Sequence, residues 1–261
     1  MEAKLYEAAN NGNESAAKEI LREDPMLNVN WSDDAGWTAL HVSCSKGHNP
    51  VITLLLAHPN IEVNKKDVAG NTPFMWVCFN GKASSVGLLL MDPRVLADES
   101  NSSGFSPLVY VASLGHLETI KCWIASGRDL PLGEPGNVRK DAIHQAKNPE
   151  RNRVVNRFLQ ETDEEFEARA QRCALGASLL EQFKANPDRI RGKFRKELGL
   201  SHHHHHHPPP HTHLPLLSFH VHRFIHSFFL LPFDFRFCFP TTTADKRGLF
   251  RLSQRKVLCC A

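Results

Sequence analysis

The chain has 261 residues, 41% of them hydrophobic and 23% charged, enough for one or two ordinary domains or a short stack of repeats with a tail. Its net charge of +3 is uneven: residues 201–261 hold seven Arg or Lys against Asp234 and Asp245, a balance of +5, so residues 1–200 carry −2 and give no basic footprint for nucleic acid. Seven cysteines without a Cys-x-x-Cys pair argue against a disulfide scaffold, zinc or redox work and for a reducing compartment, with the cytoplasm expected and the nucleus as a second location.

In chain order, Met1–Glu7 lacks the apolar region of a secretory leader, so none is expected. Leu5, Ala8, Ala9, Gly12, Ile20, Leu21 and Val29-Asn30 then predict a short helix pair with no turn ahead of it. From Asp33 a 34-residue period takes over. Gly36, Gly70 and Gly104 each stand two residues ahead of Thr38, Thr72 or Ser106, and Gly47, Gly81 and Gly115 keep the same step. A fixed period of this length marks a stacked repeat, in which no unit can bury its apolar face alone.

The clearest unit is 33–66. Asp33-Asp34-Ala35-Gly36 reads as a turn and Thr38 as a helix N-cap. Ala39 then takes the first helical position, where the next units place Pro73 and Pro107, because a missing N–H costs least there. Leu40, Val42, Ser43 and Cys44 give this helix a narrow face for close packing, and Gly47 stops it. Pro50 opens a second helix, with Val51, Ile52, Leu54, Leu55 and Leu56 as its apolar ridge. His58-Pro59-Asn60 ends that helix, and Ile61–Asn64 leads to Asp67 and the next turn.

Thr38-Ala-Leu-His41, the small residues after it, Gly47-His48, the leucine ridge and Val63-Asn64 together resemble the ankyrin repeat. The resemblance covers roughly residues 1–160. It implies an all-α solenoid of helix-turn-helix units joined by short β-turn or hairpin loops, with four to five repeats plus C-terminal capping helices. The expected boundaries are a capping repeat at 1–35, repeats at 36–69, 70–103 and 104–137, and a degenerate repeat at 138–161, carried by Asp141–Ile143, Ala146, Val154, Val155 and Leu159. The motif histidine, which knits neighbouring repeats in the family, stands only at His41; Met75 and Val109 replace it.

Residues 162–200 read as a C-terminal helical cap. Thr162-x-x-Glu165 is a capping box, Phe166, Ala170, Cys173, Ala174, Ala177, Leu180 and Phe183 recur at helical spacing, and Asn186-Pro187-Asp188 opens a basic helix ending at Gly199. Residues 201–261 hold eleven of the sixteen His, nine of the sixteen Phe and six of the sixteen Pro. They are expected to be disordered or not genuine coding sequence, and translated non-coding sequence, an expression tag and a metal-binding His tract stand as three readings. Phe228–Phe233 is too short and too interrupted for a membrane span.

No phosphate-binding Gly-x-x-x-x-Gly-Lys-Ser/Thr loop and no His-Glu-x-x-His occurs. Asp33-Asp34 and Glu164-Glu165 read as turn and first-turn residues, His48 and His116 as members of a helix–helix turn, Cys122 as helix filler, and Asn64 as a loop hydrogen-bonder that could alternatively be hydroxylated. No catalytic residue, cofactor or metal is expected, and the chain is not expected to be an enzyme.

Ankyrin stacks commonly hold partners on a concave face lined by the turn tips and first helices. Carried over, those positions are Asp34, Ala35, Trp37, Ser45 and Lys46; Val68, Ala69, Asn71, Phe79 and Asn80; and Ser102, Ser103, Phe105, Ser113 and Leu114. Trp37, Phe105 and Phe79 are the expected aromatic anchors. The expected function is non-catalytic binding of a protein partner by a monomer, without nucleic acid or membrane. The alternative is a regulatory, inhibitor or adaptor subunit docking through its C-terminal helices.

Overall fold

Two rows of short helices run through the computed structural model, which describes residues 1–137, 139–200, 242–244 and 250–252. The inner row is α1 (Glu2–Asn10), α3 (Ala39–Lys46), α5 (Pro73–Phe79), α7 (Pro107–Leu114) and α9 (Ala142–Lys147), each packed on the one before. The outer row is α2 (Glu14–Glu23), α4 (Asn49–Leu56), α6 (Ala83–Leu90) and α8 (Leu117–Ser126), stacked in the same way. The helical body is therefore an all-α solenoid. Leu40, Ile52, Leu55, Phe74, Met75, Leu89, Leu108, Ile120 and Trp123 are fully buried along its length, and the core is continuous because every unit covers its neighbour's ridge.

Local chemistry accounts for the short helices. Thr38 and Thr72 accept the N–H of His41 and Met75 through their hydroxyls, and Pro73 and Pro107 occupy first-turn positions. Gly47, Gly81 and Gly115 turn the chain between rows in the left-handed region at φ of 74, 63 and 68°. At Gly81 there is a second constraint: a Cβ would sit 2.5 Å from Nδ1 of His116 in the next unit. That glycine is required twice, for its backbone and for what it touches.

The end of the stack departs from the regular pattern. α10 (Arg153–Leu159) follows α9, but the flank of α8 is covered by α12 (Pro187–Glu197), and α11 (Asp163–Ala185) lies against α9, α7, α8 and α12. The segment expected as a degenerate unit, 138–161, holds α9 and α10, and the position beside α8 is taken by α12, from the segment expected to cap the stack. Arg195 fastens it there, donating from Nε to the carbonyl of Ala125 at 2.9 Å, among the open carbonyls ending α8. Arg169 pins α11. Its guanidinium, 1% exposed, donates to Glu161 at 2.9 Å, to the Ser113 carbonyl at 2.9 Å and to Asn156 Oδ1 at 2.8 Å. The expected capping box is formed at Thr162 and Glu165. Apart from a short antiparallel pair, β1 (Thr242–Ala244) with β2 (Phe250–Leu252), the readings of residues 201–261, including the His tract, lie outside the described residues.

Candidate protein-binding face

Each inter-unit turn is built on one side chain. Asp33, Asp67 and Asn101 recur at the 34-residue step. The Oδ1 of each accepts two backbone N–H groups across its own turn: Ala35 and Trp37 at 3.0 and 2.9 Å, Ala69 and Asn71 at 3.0 and 2.8 Å, Ser103 and Phe105 at 3.1 and 3.0 Å. This is the local bonding that makes Asp and Asn turn formers. The tips are then stitched together. Val68 N–H donates to the Ala35 carbonyl and Ser102 N–H to the Ala69 carbonyl, both at 3.0 Å. Asp33-Asp34 is thus a turn, as expected of it.

The second polar atom of the same side chains reaches an aromatic ring. Tyr6 donates its hydroxyl to Asp33 Oδ2 at 3.0 Å, Trp76 donates its indole N–H to Asp67 Oδ2 at 2.9 Å, and Asn101 donates from Nδ2 to the Tyr110 hydroxyl at 3.0 Å. The rings form a ladder across three units. Trp37 meets Trp76 at 4.6 Å between centroids, Trp76 meets Phe79 at 5.8 Å, Phe79 meets Tyr110 at 5.4 Å, and Tyr110 meets Phe105 at 5.7 Å. These tilted and edge-to-face geometries are the favoured ones for aromatic pairs.

Exposure divides the expected face in two. Asp34, Lys46, Val68, Ala69, Ser102 and Ser103 are exposed, and Ala35, Trp37, Ser45, Asn71, Phe79 and Asn80 are half-buried. Val68, 71% exposed, is an apolar side chain open to solvent at a tip. Asn80 bridges two inner helices by donating to Ser45 Oγ at 3.1 Å. The other three residues correct the sequence expectation. Phe105 is only 8% exposed because it packs against Tyr110. Ser113 and Leu114 are buried at the end of α7, where α11 crosses. There the Ser113 hydroxyl donates to the Val109 carbonyl at 2.7 Å and accepts from Asn152 Nδ2 at 2.9 Å, and its carbonyl takes the Arg169 guanidinium.

Trp76 and Tyr110 are the residues that sequence reasoning missed. They share one register with Val42 at the 34-residue step, and two aromatics at one inner-helix position would have marked them.

Three histidines hold units together. His41 donates from Nε2 to the Asn71 carbonyl at 3.1 Å, since a carbonyl can only accept, and its Nδ1 takes the Thr38 N–H at 3.2 Å. His48 donates to the Asn10 carbonyl at 3.1 Å and His116 to the Phe79 carbonyl at 2.9 Å, each reaching back one unit. Burial lowers the pKa of His41. The same effect, the largest of several, pulls His116 from 6.5 to about 4. Burial pushes the Cys122 thiol up to about 12 and raises Cys44 and Cys78 as well, which suits core filler and opposes a thiolate nucleophile. Asn64 spans two units, donating to the Arg94 carbonyl at 2.8 Å and accepting the Leu96 N–H at 2.9 Å.

Among the described residues, no group of three His, Cys, Asp or Glu is placed to hold a metal ion, and no helix is long and apolar enough to cross a membrane. Residues 5–97 match the family model for ankyrin repeats (3 copies). No curated protein matches the chain.

Proposed function

We propose, from the match of residues 5–97 to the ankyrin-repeat family model, whose repeats are generally protein–protein interaction modules, that the chain binds a protein partner on the face made by its turn tips and inner helices. The reading is non-catalytic. One observation carries it: Trp37, Trp76 and Phe79 form a continuous ring ladder, half-buried and therefore half open, on a surface stiffened by two hydrogen bonds per turn. Pre-ordered aromatics lose little freedom when a partner covers them, and such residues are the usual centres of interface energy. Asp34, Val68, Ala69, Ser102 and Ser103 surround them as exposed contacts.

Docking through the C-terminal helices has less to draw on. Phe183, Ile190 and Phe194 are buried against the stack, so most of the apolar surface of α11 and α12 is already occupied and Leu175, 59% exposed, is the large apolar side chain left open on α11.

Capture by the full chain tests the proposal. Trp37→Asn and Trp76→Val introduce residues that other units carry at the same positions, Asn71 and Val42, so the fold should persist. Loss of a captured partner in the double variant, with melting within a few degrees of wild type, is the expected result. Undiminished capture would place the binding surface elsewhere.

A further inference from the structure

We propose that the ladder takes a positively charged side chain, so that the partner presents an arginine or lysine in a basic segment. This rests on the reading of the inner face as the binding surface and adds the chemistry of what sits there.

The argument starts from Asp67. Its side chain is 7% exposed, and its Oδ2 accepts the indole N–H of Trp76 at 2.9 Å. An indole that donates to a carboxylate becomes more electron-rich over its face, and that face already attracts cations through the ring quadrupole. Trp76 is half-buried and in contact with Trp37 at 4.6 Å between centroids. The two tryptophan rings therefore meet at a 55° tilt, with a carboxylate bonded to the edge of one. A second carboxylate, Asp33, lies at the turn whose Trp37 N–H it accepts at 2.9 Å.

Charge at the tips points the same way. The segments 31–37, 65–71 and 99–105 hold Asp33, Asp34, Asp67 and Glu99 against Lys65 and Lys66, a balance of −2. Both lysines are engaged: Lys66 pairs with Glu99 at 2.9 Å, and Lys65 donates to the Asn30 carbonyl at 2.9 Å. Lys46, exposed at the end of α3, is the remaining cation of the expected face. A guanidinium or ammonium over these rings gains both the ring attraction and the carboxylate field, whereas an acidic segment meets repulsion from the same groups.

The repeat supplies a clean perturbation. Asn101 occupies the position of Asp67 one unit later and makes the same pair of Oδ1 bonds across its turn. Asp67→Asn should therefore keep the turn while removing the charge and, because an amide nitrogen cannot accept, the bond from the Trp76 indole N–H. The test uses the full chain and dye-labelled short peptides in which glycine alternates with arginine, with glutamate or with proline, read by anisotropy and by quenching of tryptophan fluorescence. We expect saturable binding of the arginine peptide alone, weakened about fivefold by Asp67→Asn and abolished by Trp76→Val, with melting temperatures close to wild type. Equal or tighter binding of the glutamate or proline peptide, no saturable binding of the arginine peptide, or full affinity in Asp67→Asn overturns the inference. Partner capture that depends on Trp37 and Trp76 while the arginine peptide fails would leave the binding surface standing and remove only its cation chemistry.

Discussion

Acid should loosen the joint between the second and third regular units through His116. The imidazole donates to the Phe79 carbonyl across the unit boundary at 2.9 Å, and burial, reinforced by nearby Arg172 and Lys82, pulls its pKa from 6.5 to about 4. The folded state therefore holds the ring neutral over a range in which the unfolded chain protonates it. Because the folded pKa is the lower one, this contribution is complete above pH 6.5 and is lost as pH falls towards 4. At about 1.4 kcal/mol per pH unit, the full shift is worth at most about 3.5 kcal/mol, and about 2 kcal/mol is already gone at pH 5. His116→Gln keeps an N–H for the Phe79 carbonyl and removes the titration. Urea midpoints of the full chain, measured in steps from pH 8 to pH 4.5, should show wild type losing about 1 M more than the variant. Parallel curves for the two proteins, or a histidine resonance assigned to His116 that titrates near 6.5, would refute this reasoning.

Three further perturbations probe the stack. Gly81→Ala should cost about 3 kcal/mol, combining left-handed backbone strain with displacement of His116, whereas Gly104→Ala, whose Cβ would meet only the flexible Arg139 side chain at 3.4 Å, should cost about 1 kcal/mol; equal losses in denaturant melts would contradict the contact argument. Arg169→Leu strands Glu161 and Asn156 Oδ1 and leaves the Ser113 carbonyl only the weak Cys173 thiol donor, so about 3 kcal/mol of stability should disappear and hydrogen exchange should speed up in α11; unchanged exchange there would show that other contacts hold the helix. Cys44, Cys78 and Cys122 are fully buried, with thiol pKa values raised, so peptide mapping after alkylation should find them modified only in denaturant, and labelling of the native protein would speak against this packing.

Much of the fold was legible because the repeat is local. Glycines, caps and prolines at fixed steps locate α3 through α8, and each signal acts within a few residues of its effect. The double duty of Asp33, Asp67 and Asn101 was not legible, since only the folded turn shows that one oxygen braces the backbone while the other polar atom holds a ring, nine residues on for Asp67 and Asn101 and 27 residues back for Asp33. Trp76 and Tyr110 go unmarked in the sequence reading for the same reason: a position on an inner helix does not reveal which side remains open. Phe105, Ser113 and Leu114 looked exposed because repeat logic places them on the open face. Their burial comes from Tyr110 and from α11, a helix beginning about fifty residues later with no periodic relation to α7. Sequence marks 162–200 as a helical segment expected to cap the stack but not how it docks, for α12 sits beside α8 through arginine bonds to open carbonyls, a contact no repeat pattern encodes.

Tryptophan itself offers the most direct test of the binding face. The chain has four, at 31, 37, 76 and 123, and Trp123 is wholly buried in the core, so it serves as an internal reference. With 5-fluorotryptophan incorporated and the four fluorine resonances assigned by single replacement, a captured partner is added to the full chain. Shifts at Trp37 and Trp76 with Trp123 unmoved are the result expected if the ladder is the contact surface. A partner that binds while the Trp37 and Trp76 resonances stay in place would contradict it.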